Sequence, residues 1–242
     1  MKRSWVVAVA GLVLAFPFAG AASSAEGLSI REVDASRFPK VTIAVSGAAD
    51  AGPVRLYENG VAVADPEVTS FEQSGNTVDV VLAIDTSGSM AGAAMDSAIA
   101  AATSFVQGLP DHVRVGVVAF SSDPRVALTL TRDHDAALEV LAQLTPSGET
   151  AMYDALASSA KLFKGPNQRN IILLSDGGDT TSTSALSEVA NAVAAKKATV
   201  FSVGIEGSEQ DVGALRRISR ETGGSYAPAA AAELSSVYET LA

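Results

Sequence analysis

Two kinds of hydrophobic periodicity divide this chain. From Thr77 onward, short apolar runs alternate with stretches in which apolar residues recur every three or four positions. Val78 to Ile84 is apolar at nearly every position, as a strand covered on both faces of a parallel sheet requires. Ile99, Ala102, Val106 and Leu109 then fall at spacings of 3, 4 and 3, the stripe of a helix. "VRVGVVAF" (113–120) and "RVALTL" (125–130) flank Ser121-Ser122-Asp123-Pro124, which predicts a hairpin and so an antiparallel edge pair. Leu138, Leu141 and Leu144 mark one helix; Met152, Leu156, Ala160 and Phe163 mark another. "NIILLSD" (170–176) reads as a second buried strand, Leu186, Val189 and Val193 as a helix, and "ATVFSVGI" (198–205) as a strand. Ser208 with Asp211 three positions on predicts a capping box for the helix carrying Val212, Leu215 and Ile218, which Gly223-Gly224 ends. A short strand "SYAPA" and a final helix with Leu234, Val237 and Leu241 complete the series. Such alternation predicts an α/β fold over 77–242: a doubly wound, mostly parallel sheet flanked by helices.

Residues 26–76 follow a different pattern. "KVTIAVSG" (40–47), "VRLYENGVAV" (54–63) and "VTSFEQ" (68–73) are short β-type runs, and Asn59-Gly60 is a strong two-residue hairpin signal. This segment is a small β-rich module, too short for a comfortable independent sandwich. Ahead of it, Lys2 and Arg3, the apolar Trp5 to Phe18 and the small residues Ala19 to Ala25 read as an export signal over 1–25. The alternative is an uncleaved anchor, the one route to membrane contact, since Trp5 to Ala22 is near the lower length for spanning. Cleavage would place the protein in the cell envelope or outside the cell.

Composition narrows the function classes. The formal charge is −10, and loss of Lys2 and Arg3 with no acid among residues 1–25 takes it to −12. The basic residues are scattered, so nothing resembles a nucleic-acid footprint. The chain has no cysteine, which excludes disulfides and thiolate metal sites.

The chemistry gathers where the buried strands end. In "VVLAIDTSGSM" (80–90), Asp85, Ser87 and Ser89 alternate within one turn, and Gly88 permits the tight backbone that convergence needs. These are hard oxygen donors, suited to Mg²⁺ or Mn²⁺ and not to zinc. "PSGETAMYDAL" presents Thr150 at the start of a helix, and "ILLSDGGDT" puts Asp176 at the end of the second buried strand. In doubly wound sheets, ligands bind beyond the carboxyl ends of the strands, so all five residues belong to one rim.

With these residues in place, the chain from about Thr77 to Ala242 resembles a von Willebrand factor A domain, and Asp85-Thr86-Ser87-Gly88-Ser89 resembles its metal-ion-dependent adhesion site. The resemblance implies hydroxyl ligands from Ser87, Ser89 and Thr150, and carboxylates from Asp85 and Asp176 that often act through water. It also implies a protein partner whose Asp or Glu carboxylate completes the metal's coordination. The function so implied is an exported, cation-dependent protein-binding module. The second reading is a structural component of a secretion or cell-surface apparatus.

Bland readings stand beside these. Thr86, Ser87 and Ser89 suit a capping turn without an ion. Asp154 suits the first turn of a helix and Asp179 a loop; either is alternatively an outer-shell group. His112 and His134 read as surface residues, Arg216, Arg217 and Arg220 as a solvated helix face, and Met90 and Met95 as filler. Enzyme readings fare worse. An aspartic protease needs two matching carboxylates sharing a proton, and "SDGGDT" is no second copy of "IDTSGS". The chain lacks a Gly-x-Ser-x-Gly elbow and a phosphate-binding Gly-Lys loop. A metal-dependent hydrolase or phosphatase is the remaining enzyme alternative.

Overall fold

The computed structural model describes residues 4–10, 29–35, 38–46, 55–70, 78–165, 167–209 and 212–229. It divides into two compact units, Met1–Asn76 with Leu241, and Thr77–Thr240 with Ala242.

In the first unit, β1 (Ser4–Ala10), β2 (Ser29–Asp34), β3 (Lys40–Ser46) and β6 (Glu67–Ser70) form a sheet of order β2-β3-β1-β6. β1 runs parallel to both of its neighbours, and β2 runs antiparallel to β3. A separate hairpin joins β4 (Tyr57–Glu58) to β5 (Val61–Ala62). Its turn has φ 50° at Asn59 and 82° at Gly60. Two successive positive φ values are what a type I′ turn demands, and Asn-Gly tolerates them best. The apolar segment read as part of an export signal thus begins as a strand, with Val6 and Val7 paired on both sides. β-branched residues serve a strand as readily as an apolar leader. The rest of that segment, residues 11–25, lies outside the described residues, as do "FEQ" of the third β-run and the final helix at Leu234 to Leu241.

The second unit is the α/β part. Its strands are β7 (Val78–Asp85), β8 (Arg114–Phe120), β9 (Pro124–Thr131), β10 (Gln168–Gly177), β11 (Ala198–Glu209) and β12 (Tyr226–Ala229). Its helices are α1 (Ala93–Gly108), α2 (His134–Leu141), α3 (Met152–Leu162), α4 (Leu186–Ala195) and α5 (Val212–Glu221). The six strands lie in the order β12-β11-β10-β7-β8-β9. All neighbours are parallel except β8 and β9, the edge pair that the Ser121–Pro124 turn predicts.

All eight residues of β7 are buried. Val81 and Ala83 join Met152, Leu156, Ile171, Leu173, Val189 and Leu215 in one apolar cluster, while Val80, Leu82 and Ile84 are 2% exposed or less on the opposite face. Covering both faces explains the nearly continuous apolar run. One residue of that run is charged. Asp79, fully buried, receives two 2.7 Å bonds from Arg114 Nε and Nη2 and bonds of 3.2 Å from Asn167 Nδ2 to both oxygens. This clamp closes the amino ends of β7, β8 and β10.

One sequence expectation fails here. Ser208 lies inside β11, so it does not begin a capping box; Asp211 lies outside the described residues, and α5 starts at Val212. β11 instead runs on past its apolar stretch through Glu206 to Glu209, Gly177 pairing with Glu209 beyond a register shift. Local capping chemistry loses to sheet extension.

Candidate metal centre

After β7 the chain goes to β8 and β9 on one side of the sheet, then returns to β10, β11 and β12 on the other. The strand order therefore reverses between β7 and β10, and the carboxyl ends of these two strands form the crevice where such sheets hold ligands. Asp85 is the last residue of β7, and Asp176 is next to last in β10.

The residues meet as a chain of oxygens. Asp85 Oδ1 accepts the Ser87 N–H at 2.8 Å, Ser87 Oγ lies 3.0 Å from Ser89 Oγ, and Ser89 Oγ donates to Asp176 Oδ1 at 2.9 Å. Ser87 precedes a single 3₁₀ turn, Gly88–Met90, yet its hydroxyl makes no capping bond. α1 begins after Gly92, which has no side chain to cap with. These serines form a turn without capping a helix: their hydroxyls face one another and Asp176.

Thr150 arrives by main-chain ties. Gly88 N–H donates to Gly148 O at 2.9 Å, and Ser147 N–H donates to Thr86 O at 2.7 Å, so the 147–150 loop lies along the Ser87–Ser89 turn. Thr86 is anchored in its turn by two bonds to Phe120 O, from its N–H at 2.7 Å and its hydroxyl at 3.0 Å. The hairpin after β8 grips the loop from the other side: Ser121 O accepts from Ala151 N–H, and Ser122 Oγ from Glu149 N–H. Gly148 has φ 77°, and a Cβ there would stand 2.6 Å from Ser122 Oγ, so both conformation and space call for glycine. Thr150 is 5% exposed.

Several contributors escape a sequence reading. Ser175 Oγ, fully buried, donates to Asp85 Oδ2 at 2.5 Å, so both oxygens of Asp85 are engaged. Burial pushes the Asp85 pKa up, the bonds from Ser175 and Ser87 pull it back in part, and the nearby Asp176 carboxylate raises it further. Ala151, at the cap position of α3, has no capping side chain; the helix is capped from elsewhere. Ser182 Oγ accepts from Tyr153 and Asp154 N–H at 3.1 Å, and Asp179 Oδ1 also accepts from Tyr153 N–H. Asp154 in turn accepts from Thr183 N–H and Oγ1 and from Ser184 N–H. Burial acts to raise the Asp154 pKa, but these bonds outweigh it and hold the carboxyl below its usual range. Asp154 and Asp179 thus tie the segment after Asp176 to the start of α3. Replacing Ser182 by Ala should cost about 1–2 kcal/mol, the usual worth of a cap, read as a lower midpoint of denaturant unfolding.

The remaining candidates are structural. Met90 and Met95 are buried, His134 Nε2 lies 2.9 Å from Val113 O, Arg217 pairs with Glu221, and Arg216 stacks 5.3 Å from the Tyr226 ring centroid. Among the described residues, no group of three or more His, Cys, Asp or Glu side chains is placed to hold a metal.

Residues 80–179, which include all five rim residues, match the von Willebrand factor type A domain. Over these residues the chain is similar to vWA domains. No curated protein matches the chain. Among solved structures, it is similar to the von Willebrand factor type A protein from Catenulispora acidiphila, with 27% identity and a TM-score of 0.64 over 69% of this chain. That match spans 42% of the other protein's length. The vWF domain of the type V pili tip protein Mfa5 from Porphyromonas gingivalis matches 69% of this chain and 94% of its own at 16% identity, TM-score 0.57. Proximal thread matrix protein 1 from the mussel byssus, solved with a zinc-occupied MIDAS motif, matches 69% of this chain and 45% of its own at 19% identity, TM-score 0.59. The last two likenesses establish the vWA fold alone.

Proposed function

We propose that the vWA domain binds a divalent cation, Mg²⁺ or Mn²⁺, between Asp85, Ser87, Ser89, Thr150 and Asp176, and through it captures an Asp or Glu side chain of a partner protein. The supporting observation is the Ser87–Ser89–Asp176 oxygen chain with hydroxyls turned from any capping duty. A bound cation supplies an electrophilic point for an incoming carboxylate. The chain's residues do the rest. Ser87, Ser89 and Thr150 offer neutral oxygens that leave the cation's charge poorly cancelled, while Asp85, locked by Ser87 and Ser175, supplies fixed negative charge beneath. The chain's net charge of −10 opposes an acidic partner at long range, but salt screens that field over about 8–10 Å, and contact at the cation is shorter.

Further support comes from the relatives: one is a pili tip domain and another holds zinc in its MIDAS motif. Zinc there leaves Mg²⁺ or Mn²⁺ here to be decided by titration, and oxygen donors favour the harder ions. vWA domains are in general interaction modules, so we read this chain as a binding protein without catalysis, exported to the envelope or beyond. Among the described residues, no helix is long and apolar enough to cross a membrane.

Calorimetric titration of the purified protein with Mg²⁺ and Mn²⁺, followed by pulldown from envelope extracts with and without EDTA, tests the reading. Binding of either ion and an EDTA-sensitive partner are expected; failure to bind either ion would sink it. A partner retained after EDTA would favour the structural-component reading.

Acid should weaken the ion's hold. Protons compete for Asp85, whose pKa lies above the ordinary carboxylate value of 3.8. Cation affinity therefore falls as pH drops through that raised value. Folding of the cation-free protein goes the other way: the native state holds the Asp85 proton more tightly than the unfolded chain, so this group's contribution is lost as pH rises through the same window. Titrations from about pH 7.5 to pH 4.5, with melting curves in EDTA, should show both trends.

A further inference from the structure

Resting on the cation reading above, we propose that Thr180 is the positioning residue that sets Thr150 in the metal cradle. Thr180 lies four residues beyond Asp176, so it belongs to the segment that leaves the other ligand-bearing strand. Its Oγ1 accepts the Thr150 N–H at 2.9 Å, and its own N–H donates to Thr150 O at 2.9 Å. Thr181 N–H adds a longer bond of 3.3 Å to the same carbonyl.

This arrangement grips Thr150 on both sides of its Cα. With its N–H and C=O both fixed, the backbone direction at Thr150 is set, and a β-branched side chain then has few rotamers left. The position of the Thr150 hydroxyl is thus decided by residue 180.

The bond is not needed to begin α3. Ser182 and Asp179 already cap that helix through Tyr153 and Asp154. Nor does the core require it, because Thr180 is exposed. The other ties on the loop hold Ser147, Gly88, Glu149 and Ala151; at Thr150 itself the grip comes from Thr180 and Thr181. A partner of a metal ligand that fixes orientation without touching the ion typically carries a 10- to 100-fold effect on affinity.

The test compares Thr180→Val, which keeps the shape but loses the acceptor, with Thr180→Ser, which keeps it. Mg²⁺ and Mn²⁺ affinities come from calorimetry on the full chain, and melting temperatures from scans in EDTA. Thr180→Val should bind Mn²⁺ about tenfold or more weakly, with its melting temperature in EDTA unchanged within about 2 °C. Thr180→Ser should restore affinity, and Thr145→Val, at an exposed position earlier in the loop, should leave it unchanged. If the unaltered protein binds neither ion, the cation reading itself falls. If it binds and Thr180→Val binds equally well, the assignment of Thr180 falls alone. A matching loss of melting temperature in EDTA, or no rescue by serine, overturns it as well.

Discussion

Asp79→Ala should lower the melting temperature by roughly 10 °C or more, with little change in cation affinity measured on the folded fraction. Asp79 is fully buried and meets four hydrogen bonds, two from Arg114 and two from Asn167. Removing it leaves the Arg114 guanidinium, whose pKa the Asp79 bond raises, facing a void. Breaking one side of a buried ion pair costs about 3–5 kcal/mol, and in a unit of this size each kcal/mol shifts melting by about 2–4 °C. The comparison with a paired replacement matters. Asp79→Leu with Arg114→Met removes both charges, and swaps of this kind are often neutral or stabilising. Recovery of most of the loss in the double variant, read in melting scans, is the expected outcome; no recovery would mean the clamp acts through packing and not charge.

Asp85→Asn should produce the opposite signature. The substitution keeps the shape and an acceptor for Ser87 N–H, but deletes the charge. Cation affinity should fall about 100-fold, at the upper end of effects seen around metal sites. In EDTA the variant should melt at or above the unaltered protein, because a carboxylate whose pKa is raised chiefly by burial is costly when ionised. Added Mg²⁺ should stabilise the unaltered protein by about 2.7 kcal/mol at one hundred times its dissociation constant, and the variant hardly at all. Melting curves of both proteins with and without the ion would therefore cross. Parallel curves would remove Asp85 from the cradle.

Much of the α/β part is legible from residues alone. The nearly continuous apolar run of β7 demands two covered faces, and the Ser-Ser-Asp-Pro turn announces the antiparallel edge. Asp85 and Asp176 stand at strand ends that topology brings together. What escaped has a common physical cause. Ala151 gives no start signal for α3 because its cap comes from Ser182 and Asp179, about 30 residues later. Ser175 reads as one more strand residue until Asp85 is found within 2.5 Å. Asp79 looks like an intrusion in an apolar run until Arg114 appears in register beside it. Each depends on a partner distant in sequence, which periodicity does not register. The Ser208 capping box erred in the other direction, a local motif overruled by strand pairing.

Ser147, Glu149 and Thr181 are held in the rim by their main-chain N–H groups alone, bonded to Thr86 O, Ser122 Oγ and Thr150 O. All three side chains are exposed. Their identity can drift, or be redesigned, without moving the cradle below. If the rim captures a partner's carboxylate as proposed, selectivity for one binding target over another is adjustable at these three positions while the oxygen cluster of Asp85, Ser87, Ser89 and Asp176 stays unchanged.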